Sequence, residues 1–62
     1  MNFEVGKTYK CMDEYTILIL SVEEKIRFLW IENKYMTEVL GETFEATQKQ
    51  LDLYPFEEVL NG

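Results

Sequence analysis

The stretch YTILILSVEEKIRFLWI, residues 15–31, decides how the chain is read. Two runs dense in Ile, Leu, Val, Phe and Trp flank Glu23-Glu24. β-Branched and aromatic side chains suit a pleated, half-buried surface, so the stretch predicts a β-hairpin. Glu-Glu lacks the Gly or Asn that supplies positive φ in a two-residue hairpin turn, which favours a four-residue loop over residues 22–25 with Val22 opposite Lys25. That register sets Ser21 opposite Ile26, Ile19 opposite Phe28 and Ile17 opposite Trp30 on one face. The other face carries Leu18 opposite Leu29, Leu20 opposite Arg27 and Thr16 opposite Ile31. A one-sided antiparallel sheet would be polar there. Both faces of the hairpin are apolar, and something has to cover the second.

Outward from the hairpin, Phe3-Glu4-Val5 alternates, Gly6 interrupts, and Lys7-Thr8-Tyr9-Lys10-Cys11 resumes. This reads as one strand from residue 3 to about 11, with a bend or bulge at Gly6, or a close approach of another backbone there. Asp13-Glu14 supplies the turn into the hairpin. After it, Glu32-Asn33-Lys34-Tyr35 makes a short turn, since Asn tolerates left-handed geometry. Pairing Glu32 with Tyr35 places Trp30 opposite Thr37 and Phe28 opposite Val39, and enlarges the second apolar face to Leu18, Leu20, Leu29, Ile31, Met36 and Leu40. Past Gly41, Thr43-Phe44-Glu45-Ala46-Thr47 alternates as a strand does, and a helical reading gives a poorer inward stripe. Lys49-Gln50 is a turn or a single helical turn, and Leu51-Asp52-Leu53-Tyr54 alternates again. Pro55 confines any strand to an edge or ends it. The alternative over residues 55–60 is a short helical turn with Pro first, Glu57 and Glu58 near its positive end, and Phe56, Val59 and Leu60 on one side.

Sixty-two residues make a single domain, residues 1–62. A chain of this size buries only about 60% of the surface its unfolded form exposes, which makes closure, dimerisation or a bound partner valuable. One cysteine, Cys11, excludes an intrachain disulfide and a Cys-based zinc cluster, and suits a reducing cytoplasm. The opening MNFEVGKTYK lacks the uninterrupted apolar run of a secretory signal, and no run approaches a membrane span, so a soluble cytoplasmic protein is expected. The net charge is −6. Residues 1–37 hold six acids against five bases, whereas residues 38–62 hold Glu38, Glu42, Glu45, Asp52, Glu57 and Glu58 against Lys49 alone. Such a field repels nucleic-acid phosphates and anionic lipid, and steers association with a basic partner.

Catalytic equipment is sparse. Histidine is absent, which removes the commonest general base and metal ligand. Cys11 shares a strand face with Tyr9, as a packed and inert thiol would, and Lys7 and Lys10 could lower its pKa only modestly. Asp13-Glu14, Glu23-Glu24 and Glu57-Glu58 are adjacent pairs, which point to opposite faces of a strand and do not converge on one metal or glycosidic oxygen. Gly6-Lys7-Thr8 has the spelling of a phosphate loop without its earlier glycine. Nine aromatic residues follow strand alternation and read as core rather than as base-stacking platforms.

Short strands, close turns, a glycine-bent first strand and a short terminal turn resemble the pattern of a small SH3-like barrel. The stretch Phe3-Glu4-Val5-Gly6-Lys7-Thr8-Tyr9 followed by the long hairpin is also similar to the openings of short uncharacterised phage and prophage proteins. The resemblance covers about the first forty residues and carries neither the ALYDY-type motif nor the paired Trp-Trp of signalling SH3 domains. It implies a small accessory protein acting on a host or phage protein, with no chemistry and no transfer of proline-peptide binding to Trp30 or Tyr35. The fold expected is mainly β, a small antiparallel SH3-like barrel of about five strands with a short C-terminal helical turn. The alternative is an α+β arrangement with one helix within residues 43–60. The function expected is a non-enzymatic module that binds a protein partner or a second copy of itself, with Leu18, Leu29, Ile31, Met36 and Leu40 as the interface. An acidic nucleic-acid mimic acting through Glu38, Glu42, Glu45, Asp52, Glu57 and Glu58 is the second reading. No cofactor, metal, membrane or small-molecule substrate is expected, and nucleic acid is not an expected partner.

Overall fold

The computed structural model describes residues 1–60. Five strands form one antiparallel sheet: β1 (Thr8–Cys11), β2 (Tyr15–Val22), β3 (Ile26–Asn33), β4 (Thr43–Ala46) and β5 (Phe56–Glu58). Their order is β4-β3-β2-β1-β5, a four-stranded meander with the last strand returning beside the first. A 3-10 turn at Thr37–Val39 precedes β4, and one short helix, α1 (Gln48–Asp52), connects β4 to β5. The fold is mainly β, as the alternation of the sequence predicts.

The hairpin is the axis of this sheet, and its middle has the expected register: Ile17 opposite Trp30, Leu18 opposite Leu29 and Ile19 opposite Phe28. Both ends depart from it. Val22 pairs with Ile26, so the loop is the three residues Glu23, Glu24 and Lys25, closed by a hydrogen bond from the Glu23 N–H to the Lys25 carbonyl at 3.1 Å. The register shifts between Ile19 and Ser21 and again between Thr16 and Ile17, which leaves Leu20 and Ile31 without partners opposite. An extra residue in one strand increases local twist and bends it. Two of them, one per strand, help curl the hairpin.

Curling brings one face of every inner strand onto a common core of Phe3, Tyr9, Cys11, Ile17, Ile19, Ile26, Phe28, Leu51 and Phe56. The reverse face is laid out in rows by the same registers. Thr43, Leu29, Leu18 and Thr8 form the middle row. Glu32, Thr16, Lys10 and Glu57 flank it on one side, and Glu45, Arg27 and Ser21 on the other. The outer face therefore carries the Leu18–Leu29 pair, with the exposed bulge residues Leu20 and Ile31 next to it in the chain and polar rows on either side, where Thr16 donates to Glu32 at 2.9 Å. Of the second apolar face expected from the hairpin, Leu18, Leu20, Leu29 and Ile31 stay outside the core, while Met36 and Leu40 leave the sheet.

Three further expectations are corrected. Residues 3–7 are not strand: the segment is a strap that sends Phe3 into the core, and the Tyr9 hydroxyl accepts from the Glu4 N–H at 2.9 Å. Gly6, at φ +84°, keeps the bulge the sequence suggests: its N–H donates to the Ile19 carbonyl at 2.8 Å and the Ile19 N–H donates to the Lys7 carbonyl at 3.0 Å, so two residues face one, and nothing crowds its missing Cβ. Residues 35–40 do not pair with β3. The buried Asn33 accepts on its Oδ1 from the N–H groups of Tyr35 at 3.1 Å and Met36 at 2.9 Å, which folds the chain away from the sheet. The strand resumes only where Gly41 donates to the Trp30 carbonyl at 2.9 Å and Trp30 donates to the Glu42 carbonyl at 3.0 Å. Finally, residues 55–60 are not a helical turn. Pro55 leads into β5, which pairs with β1 as an edge strand, and the helix falls earlier. That helix starts at a capping box: the Gln50 N–H donates to Thr47 Oγ1 at 3.1 Å and the Thr47 N–H to Gln50 Oε1 at 2.8 Å. Leu51 therefore sits on the buried side of a helix rather than on an alternating strand.

Candidate functional site: an aromatic groove at the open seam

β4 and β5 stand at the two ends of the strand order, and among the described residues no ladder joins them. The curl brings these edges to face each other across a groove of about 370 Å³. Its floor and walls are rings: Phe28 and Trp30 from β3, Phe44 from β4, Tyr15 from the start of β2, and Tyr54 and Phe56 after α1. Trp30 is the junction. Its ring meets Phe28 edge-on at 5.2 Å and Phe44 edge-on at 5.7 Å, and lies 5.9 Å from Tyr15. Tyr54 packs edge-on to Phe56 at 6.2 Å on the far wall. Met36 closes one end, delivered there by the Asn33 turn. Phe44, Met36 and Tyr54 remain 41%, 46% and 53% exposed, so the groove has an apolar lining that the chain leaves open to solvent. The Trp30 Nε1–H is buried and has no hydrogen-bond partner. A buried donor without a partner costs about 1–3 kcal/mol.

Of the expected interface residues, Leu18 and Leu29 are brought together, and the other three are not gathered with them into one patch. Leu18 and Leu29 are half-buried neighbours on the outer face, Ile31 is a bulge residue, and Leu40 is exposed at the end of the 3-10 turn. Met36 alone among them lines the groove. The acids are separated as well. Glu45 lies on β4 across from Arg27, and Glu42 and Glu38 precede that strand. Glu57 pairs with Lys10 on β5, Glu58 lies 3.6 Å from Lys7 Nζ, and Asp52 holds the N-terminal ammonium at 3.1 Å. Asp52 and Glu58 are thus ion-paired, Glu57 and Glu45 lie across the ladder from a base, and Glu38 and Glu42 precede β4.

Cys11 is a buried free thiol, and burial, with a smaller contribution from Glu14, raises its pKa and keeps it protonated. Tyr35 donates to Glu14 Oε1 at 2.7 Å, and that hydrogen bond raises the phenol pKa, the reverse of what a general base requires. Lys7 is held protonated, its pKa raised mainly by its hydrogen bond to Glu4 at 2.7 Å. No group of three metal-ligating side chains occurs among the described residues. No helix among them is long and apolar enough to cross a membrane. No family model, curated protein or solved structure matches the chain.

The groove was not legible because it joins residues from β2, β3, β4 and β5, and only the β1–β5 return brings the last of these round. A usable signal was present all the same. Phe44 and Tyr54 do not find buried places in the expected core, and Thr47-Gln48-Lys49-Gln50 has the spacing of a capping box that moves Tyr54 past a helix.

Proposed function

We propose that the chain is a non-enzymatic protein-interaction module that docks its partner in the aromatic groove between β4 and β5. The observation carrying this reading is the set of exposed apolar side chains, Phe44, Met36 and Tyr54, around a ring-lined depression. Aromatic residues and Met are the types enriched where proteins meet, since they offer large contact area at low entropic cost. The small accessory role that the phage-type resemblance implies accords with this reading. The acidic-mimic reading has less behind it, because Asp52 and Glu58 are ion-paired and Glu45 and Glu57 each lie across the ladder from a base. The test is capture from the lysate of the source cell, quantified for wild type, Tyr54→Ala, Met36→Glu and Leu29→Glu. Loss of the same protein with the two groove variants and its retention with Leu29→Glu support the groove. Loss with Leu29→Glu alone moves the interface to the outer face.

A further inference from the structure

We propose that the groove takes an extended, alternating basic and apolar segment of a different protein, added as a sixth strand along the free edge of β4; this rests on the groove being the docking surface. The register defines the edge. Trp30 exchanges hydrogen bonds with Gly41 and Glu42, so in the alternating antiparallel ladder Phe44 and Ala46 turn their backbone groups toward β3. Thr43 and Glu45 then turn theirs outward, and among the described residues no hydrogen bond outside the sheet ladder engages the backbone of either. All of β4 but Ala46 is exposed, and Glu45 borders the groove even though alternation sends its side chain to the outer face with Arg27. A strand laid on this edge gains main-chain hydrogen bonds from Thr43 and Glu45. Every second side chain reaches the rings of Trp30, Phe44 and Tyr54.

Charge selects the occupant. The intervening side chains of the added strand stand on the outer face beside Glu45, which separates them from Arg27 on β3, with Glu42 and Glu38 preceding it and no base on β4 itself. A second copy placed antiparallel on the same edge sets Thr43-Phe44-Glu45-Ala46 against itself and brings these acids together, which destabilises the pair. Two chains of net charge −6 also repel at longer range. Lys or Arg in the incoming strand meets the opposite sign.

The probes are three capped eight-residue peptides alternating valine with lysine, serine or glutamate, followed by Trp30 fluorescence and by amide NMR shifts of the full chain. The lysine peptide should bind saturably, with the largest amide shifts at Thr43 and Glu45. The serine peptide should bind about four- to a hundredfold more weakly, since two or three exposed charge pairs contribute about a factor of two to five each. Glu45→Gln should reduce that preference by about a factor of two to five, and N-methylation of alternate lysine-peptide amides should abolish binding while leaving the charges in place. Equal affinity for the lysine and serine peptides overturns the basic partner while leaving the groove reading standing. Shifts confined to Leu18 and Leu29 overturn both. A concentration-dependent dimer in light scattering, with protection at Thr43 and Glu45, also overturns the proposal by making a second copy the occupant.

Discussion

Replacing Phe3 with alanine should cost this domain a large part of its stability, although Phe3 belongs to no strand. Its side chain is 3% exposed and meets Tyr9 edge-on at 4.8 Å and Phe56 edge-on at 5.8 Å. Truncating a buried phenylalanine costs about 3–5 kcal/mol in transfer and cavity terms. A 62-residue domain has only about 3–9 kcal/mol of folding free energy to lose, at roughly 0.05–0.15 kcal/mol per residue. Phe3→Leu keeps most of the volume and should cost less than about 1.5 kcal/mol. The strap is anchored independently by Glu4 N–H to the Tyr9 hydroxyl, by Tyr9 to the Asn2 carbonyl at 3.4 Å and by the ammonium of Met1 on Asp52. The cavity in Phe3→Ala is thus held open rather than collapsed. Urea denaturation followed through Trp30, the chain's single tryptophan, measures both variants. A loss below about 1 kcal/mol for Phe3→Ala, at unchanged urea dependence, would refute the account of the strap as part of the core.

Thr47→Ala removes the hydroxyl half of the capping box and should cost about 1 kcal/mol, lowering the melting temperature by about 4–8 °C. Asn33→Ala orphans the N–H groups of Tyr35 and Met36 and should cost about 1–3 kcal/mol. It should also loosen Met36, visible as faster amide exchange at both positions. Cys11 should resist thiol reagents in the native state and react on addition of urea. Because burial raises its pKa above the ordinary 9.0, the folded protein keeps the proton longer than the unfolded chain does. Its contribution to stability is therefore full below about pH 9 and declines as the pH rises beyond it. Cys11→Ala should flatten that alkaline decline; an unchanged slope assigns it to other groups.

The hairpin was readable because its middle obeys period-two alternation with β-branched and aromatic residues on both arms, and Ile17–Trp30, Leu18–Leu29 and Ile19–Phe28 follow from it. Its ends were not. Leu20 and Ile31 are apolar like their neighbours, so nothing in their chemistry marks them as bulges, and each bulge offsets every pair beyond it. Asn33 was recognised as a turn residue, yet whether its side chain caps two N–H groups or merely tolerates αL geometry depends on burial. The capping box at Thr47 and Gln50 was in plain spelling and was outweighed by the alternation of Leu51 and Leu53, of which Leu51 is buried and Leu53 80% exposed. The acids were countable from the sequence, but their neighbours were not, since Lys7, Lys10 and Met1 reach them only through the β1–β5 return and the strap.

The central claim is that the groove, and not the outer hairpin face, receives the partner. Side-chain NMR on the full chain with the captured partner tests it most directly, since Trp30 supplies one indole N–H in the groove, Met36 one methyl at its end, and Leu18 and Leu29 methyls on the opposite face. The account predicts large shifts of the Trp30 indole and the Met36 methyl with little change at Leu18 and Leu29. The opposite pattern would contradict it.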